Sequence, residues 1–259
     1  MLAGGAALGQ AITVLVSPVL TRLYSPDDFG ILAVFASIVG IITVASSLRY
    51  EYAIPLPEDD ESAANIGALC FVLLLGMILV AWIIILAMGD QAVVWTNTPR
   101  LRDYLWLVPI AVLGGGAYQI LNYWAVRKQR FGHISRTRIT QGAARASLQV
   151  GLGCTGLGAV GLLVGHVAGM AAGTASLGLA GYRHDRDAIG AVDTKSMWSA
   201  ATRYRRFPLI SSWADLLEAS GLHVPLLLFS AFYGAGVAGW FALGQIGRAS
   251  CRERVCHRV

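Results

Sequence analysis

The chain has 259 residues, of which 56% are hydrophobic and only 14% charged, with 30 glycines and a formal net charge of +5. A soluble domain carries about 25% charged residues, so this composition excludes an ordinary water-soluble protein. Length alone allows one or two domains, and the placement of charge along the chain says more.

Between Ile66 and Met88, 23 consecutive residues carry no charged side chain. At about 1.5 Å rise per residue they make a helix about 34 Å long, enough to cross a hydrocarbon layer of roughly 30 Å. Lipid supplies no partners for backbone polar groups, so repeated runs of this kind must be helical. The pattern predicts an all-α polytopic membrane protein with about seven transmembrane helices and part of an eighth. In chain order the spans are Leu2–Leu20, Gly30–Leu48, Ile66–Met88, Tyr104–Val126, Ile139–Thr155, Ala159–Tyr182 and Pro208–Phe229, with Gly236–Gln245 opening the eighth. Gln141, Arg145 and Gln149 interrupt the fifth. In the sixth, Gly161, Gly165, Gly169 and Gly173 recur every fourth residue and form a ridge for close helix approach. The triplet Gly114–Gly116 weakens the fourth helix midway, and Pro18, Pro109 and Pro225 are placed to kink their spans.

Short loops rich in lysine and arginine stay in the cytoplasm. One alternating set of loops holds twelve such residues, from Arg49 through the Arg127–Arg138 connector to Arg206; the other holds three, Arg22, Arg100 and Arg102. This predicts a cytoplasmic amino terminus in a bacterial inner membrane. No secretory signal precedes the first span.

The last fourteen residues, IGRASCRERVCHRV, put four arginines where the eighth span is due to continue. The stretch resembles the translation of a sequencing-library adapter and is expected to be non-native, the native frame ending near Gln245. Removing it leaves 16 basic and 14 acidic residues, a net charge of +2, so basicity does not point to nucleic acid. The Cys251 and Cys256 spacing stands without a second pair, so no metal site is expected.

Several stretches carry a family resemblance: SPVLTRLYSPDDFGILAVFASI (Ser17–Ile38), SLRYEYAIPLP (Ser47–Pro57), LNYWAVRKQRFGHISRTRITQ (Leu121–Gln141) and the segment Tyr204–Gly244. Together they resemble the polysaccharide biosynthesis membrane proteins. These are lipid-linked oligosaccharide flippases of O-antigen, lipopolysaccharide and exopolysaccharide pathways, in the superfamily that also holds multidrug/toxin extruders. The resemblance implies a protein of twelve to fourteen helices in two six-helix lobes around a cavity. Residues 1–182 would form the first lobe, 183–207 a cytoplasmic connector, 208–245 the start of the second lobe and 246–259 the non-native tail. On that reading this piece alone is expected to be transport-inactive.

The implied activity is flipping of an undecaprenyl-diphosphate-linked oligosaccharide by alternating access, with a cation-coupled drug antiporter as the alternative and a membrane polymerase or glycosyltransferase behind it. Expected partners are the bilayer, the lipid-linked oligosaccharide and other polysaccharide-assembly proteins, without nucleic acid; no cofactor is expected. Arg145, Asp215, Glu218, Asn122 and Gln119 are the candidate substrate pathway. Arg145 is suited to an acidic sugar or diphosphate, or to pairing with Asp215 and Glu218, which lie three apart on one helical face. Arg49, Tyr50 and Glu51 are candidates for a gate, against simple interfacial anchoring. Arg127, Lys128, Arg130, Arg136 and Arg138 are suited to lipid headgroups or the carrier's diphosphate, although topology alone explains their charge. His166 and His223 read as packed histidines. The Asp185–Asp187 triplet copies a glycosyltransferase metal motif but lacks a nucleotide-binding domain around it, so no enzyme activity is expected.

Overall fold

The computed structural model describes residues 2–185, 190 and 192–255. Among them are nine α-helices and no strand: α1 (Leu2–Leu23), α2 (Pro26–Ala45), α3 (Asp60–Trp95), α4 (Leu107–Arg127), α5 (Phe131–Cys154), α6 (Ala159–His184), α7 (Thr194–Arg203), α8 (Ser212–Tyr233) and α9 (Ala235–Val255). The chain is an all-α polytopic membrane protein.

Local chemistry sets the helix starts. Ser25 and Asp28 form a reciprocal capping box at α2, with Pro26 in the first turn where its missing N–H costs nothing. Asp59 accepts from the Ser62 N–H at 2.7 Å and lets α3 begin six residues before the expected span. That helix runs on to Trp95, so the Gly89–Asp103 connector consists largely of its last turns and a 3-10 segment over Pro99–Tyr104. Pro109 falls in the first turn of α4 and does not kink it, and Gly114–Gly116 leave α4 unbroken; the Gly114 carbonyl accepts from Thr174 Oγ1 at 2.7 Å.

Four segments are long and apolar enough to cross a membrane: Pro26–Ala45, Asp60–Trp95, Ala159–Tyr182 and Phe207–Tyr233. Helices α1, α4 and α5 have 22, 21 and 24 residues but lower hydropathy. The reason is geometric, because these three carry polar side chains that face the interior of the bundle. The polarity of a soluble protein is inverted here. On α3, Val72, Leu75, Leu79, Val80, Ile83, Ile84 and Leu86 all point outward and exposed, as a lipid-facing surface requires.

The expected interruption of α5 is resolved by the glycine ridge of α6. Gly165 lies against Gln149, Gly169 against Arg145 and the Gln141 carbonyl, and Gly173 against Gln141. Removing Cβ atoms from α6 makes room for the polar stripe of α5, which stays inside the bundle. Helix α1 approaches α5 just as closely, Gly142 meeting the Gly9 carbonyl.

The connectors sort to two ends. At one, Arg127 and Lys128 reach Asp60, Arg130 reaches Asp185, and Tyr50 reaches Ala201. At the other, Tyr24 bonds the Gln149 carbonyl, Ser230 bonds the Thr96 carbonyl, and Gly236 lies against Asp27. The Arg127–Arg138 connector and the Asn97 turn are therefore at opposite ends, as an alternating bundle demands. Helices α8 and α9 pack on α2, where Gly30 touches the Ala235 backbone and Gly239 touches the Pro26 carbonyl. The helix of α9 continues to Val255; the residues after it, Cys256 included, lie outside the described residues.

Candidate substrate cavity and its gate

A cavity of about 680 Å³ lies among α1, α2, α4, α5, α6 and α8, toward the basic end of the bundle. Its α5 wall is Arg138, Gln141, Gly142 and Arg145. Those positions are spaced i, i+3, i+4 and i+7, one face of one helix. Its α4 wall contributes Tyr118, Gln119, Asn122 and Tyr123, and Thr43, His166 and His223 complete the polar lining. No aspartate or glutamate lines it.

Burying polar groups without partners costs free energy, so orphaned groups that share one cavity mark a place built for a ligand. Thr43 Oγ1, Gln119 Oε1, Asn122 Oδ1 and His166 Nε2 are all buried and have no hydrogen-bond partner in the chain. The His166 ring is held edge-on to Phe35 at 6.2 Å. Arg138 and Arg145 make no ion pair among the described residues. Two uncompensated guanidiniums beside amide and hydroxyl groups are chemically suited to an anion carrying hydroxyls, because guanidinium forks match phosphate oxygens bidentately.

Arg49 is the third arginine of the lining, and its charge is spent differently. Leu48 and Arg49 both adopt left-handed backbone conformations, with φ of 49° and 60°. This is an uncommon turn for residues with a Cβ, and it swings the Arg49 side chain inward. There its Nε lies 2.8 Å from Asp215 Oδ2 and its Nη1 lies 3.2 Å from Glu51 Oε1. Glu51 is fully buried and also accepts from Ser47 Oγ. Tyr52 donates to Asp215 at 2.9 Å and packs beside Arg49, Tyr123 and Phe207. Burial first, and then the hydrogen bond to the Asp215 carboxylate, pushes the Tyr52 phenol above its ordinary pKa. Tyr50 donates to the Ala201 carbonyl at 2.9 Å. The corner after α2 is thereby tied to the start of α8.

The other sequence candidates distribute differently from the expectation. Asp215 pairs with Arg49 and not with Arg145, while Glu218 is exposed and unpaired among the described residues. The basic connector is split. Arg127 bonds Asp60 and the carbonyls of Ile54, Pro57 and Glu58; Lys128 bonds Asp60; Arg130 forms a fork on Asp185 at 2.8 and 3.0 Å. These three cations fasten the bundle. Arg136 is exposed and Arg138 faces the cavity. Asp185 also accepts from Trp124 Nε1 at 3.0 Å, whereas Arg186 and Asp187 of the Asp-x-Asp triplet lie outside the described residues. Gln141 and Tyr118 were not anticipated as lining residues, although the four-residue spacing of Gln141 to Arg145 was a usable signal. No cluster of three or more metal-ligating side chains occurs among the described residues.

No curated protein and no solved structure matches the chain. A family model described as polysaccharide biosynthesis protein matches residues 19–199, from the end of α1 to the middle of α7. The chain belongs to the polysaccharide biosynthesis protein family.

Proposed function

We propose that the chain acts in the inner membrane as part of a flippase that moves an undecaprenyl-diphosphate-linked oligosaccharide of the O-antigen or exopolysaccharide type, by alternating access and without catalysis. The amino terminus and the basic end face the cytoplasm in this reading. The observation that carries it is the pairing of Arg138 and Arg145 on one face of α5, both lining a cavity that no acid lines. The carrier's diphosphate would lie against these two guanidiniums, and the sugars against the amides of Gln119, Asn122 and Gln141. The Arg49–Glu51–Asp215 cluster serves as the cytoplasmic gate, since it joins the α2 corner to α8 at the edge of the cavity.

A cation antiporter of the same superfamily is disfavoured by the same lining. An arginine-lined cavity repels a cation, and the two acids of α8 are tied to Arg49 or turned outward. The test is Arg138→Gln combined with Arg145→Gln, introduced in the native gene. The expected outcome is loss of surface polysaccharide at unchanged membrane levels of the protein. Normal polysaccharide export from that variant would overturn the reading.

A further inference from the structure

Helix α7 lies between the two membrane-spanning sets and is the most amphipathic helix of the molecule. Its two faces are cleanly separated. Met197, Ala200, Ala201 and Tyr204 face inward and pack on the bundle core. The inner side is pinned by the Tyr50 hydroxyl to the Ala201 carbonyl at 2.9 Å and by the Asp193 N–H to Asn65 Oδ1 at 2.9 Å. The opposite face presents Lys195, Trp198, Ser199, Thr202 and Arg203, with Trp198 74% exposed. Arg205 and Arg206 follow directly and are exposed as well. From Thr194 to Ala214 there are four cations and no acid, and none of the four makes an ion pair among the described residues.

The position of this face selects its partner. Leu209, Ile210 and Trp213, immediately beyond Arg206, are exposed apolar side chains at the entry of the Phe207–Tyr233 span. The cations therefore stand where lipid-facing surface gives way to water. A large exposed aromatic flanked by unpaired cations at that level matches a layer with an anionic outside and an apolar inside. We propose that the outward face of α7, with Arg205 and Arg206, is a binding surface for anionic phospholipid headgroups of the adjacent leaflet. Through the Tyr50–Ala201 bond the lipid-bound helix braces the corner that carries Arg49 and Glu51. This inference does not depend on the identity of the transported substrate.

The test uses the full chain, freed of its native cysteines, with a fluorophore on Ser199→Cys. It is placed in nanodiscs of phosphatidylcholine alone or of phosphatidylcholine with phosphatidylglycerol. The probe is quenched either by aqueous iodide or by a headgroup spin label. Phosphatidylglycerol is expected to protect the fluorophore from iodide and expose it to the headgroup label. High salt should reverse the effect without any mutation, and Lys195→Gln with Arg203→Gln, Arg205→Gln and Arg206→Gln should abolish it. Each cation near an anionic surface contributes about fivefold in attraction, so the wild-type response should exceed the variant's severalfold even at low phosphatidylglycerol. Equal quenching in the two lipid compositions would overturn the proposal. So would a lipid-specific response that persists in high salt and in the neutralised variant. Protection from iodide by an added acidic protein, with no response to phosphatidylglycerol, would assign the face to a protein partner and equally overturn it.

Discussion

Replacing Asp215 with Asn should loosen the basic-end gate by an amount that the contacts allow to be worked out. The carboxylate holds the Arg49 guanidinium at 2.8 Å and the Tyr52 hydroxyl at 2.9 Å. Hydrogen bonds to charged groups contribute about 1.5–3 kcal/mol each. Asp215 is 21% exposed, however, and Arg49 keeps its bond to Glu51. Solvent screening and the surviving partner reduce the net loss to about 2 kcal/mol. That corresponds to roughly a 30-fold shift in a two-state equilibrium. Ser212, buried at the start of α8 beside this cluster, reports the opening. A cysteine placed there in a cysteine-free background should react with a membrane-impermeant maleimide about 30-fold faster when Asp215→Asn is present. Glu218→Gln, three residues along the same helix but exposed and unpaired, should leave the rate unchanged. Equal labelling rates for the Asp215→Asn variant and the parent would refute the assignment of this pair as the gate.

Other consequences follow from individual contacts. Gly169→Val would drive a side chain into Arg145 Cβ and the Gln141 carbonyl, 3.1 and 3.2 Å from an added Cβ; it should cost about 1–3 kcal/mol and lower the melting temperature in detergent, whereas Gly181→Ala, with open space around it, should not. Arg130→Gln leaves the nearly buried Asp185 carboxylate without its fork; after discounting for the partial exposure of Arg130, a loss of about 2 kcal/mol is expected, measured by the same melt. Asp59 is held below the usual carboxylate pKa by its hydrogen bond with Ser62. Its capping contribution is therefore complete above the ordinary aspartate range and lost as the pH falls through the lowered value. Amide exchange over residues 60–63 should accelerate selectively in that acid window, and should be pH-independent there, beyond the intrinsic rate, in Asp59→Ala.

The fold was largely written in the sequence because lipid imposes a coarse rule, long uncharged runs between charged loops, that Ile66–Met88 satisfies plainly. The element boundaries were less readable. Helix α3 overran its apolar segment because an aspartate cap and an amphipathic last stretch continue the helix beyond the hydrocarbon-length run. The candidate site was legible in part. Arg145, Gln119 and Asn122 are interior polar residues in otherwise apolar helices, and a polar group in that setting must face a cavity or a partner. Arg138 read as one of a string of loop cations, because sequence proximity to Arg136 hides the turn of α5 that aims it inward. Which acid meets which arginine was not legible at all. Asp215 and Arg145 share a depth, but the left-handed Leu48–Arg49 corner, which no residue type there announces, brings Arg49 to Asp215 first.

The central claim is that the cavity accepts the diphosphate of a lipid carrier. The most direct measurement is equilibrium binding of a fluorescent polyprenyl diphosphate, set against a lipophilic cation of similar size, to the chain in nanodiscs. The account predicts saturable diphosphate binding that weakens about 10–100-fold in Arg145→Gln, and no saturable binding of the cation. Tight cation binding with diphosphate binding unaffected by Arg138→Gln and Arg145→Gln would contradict it.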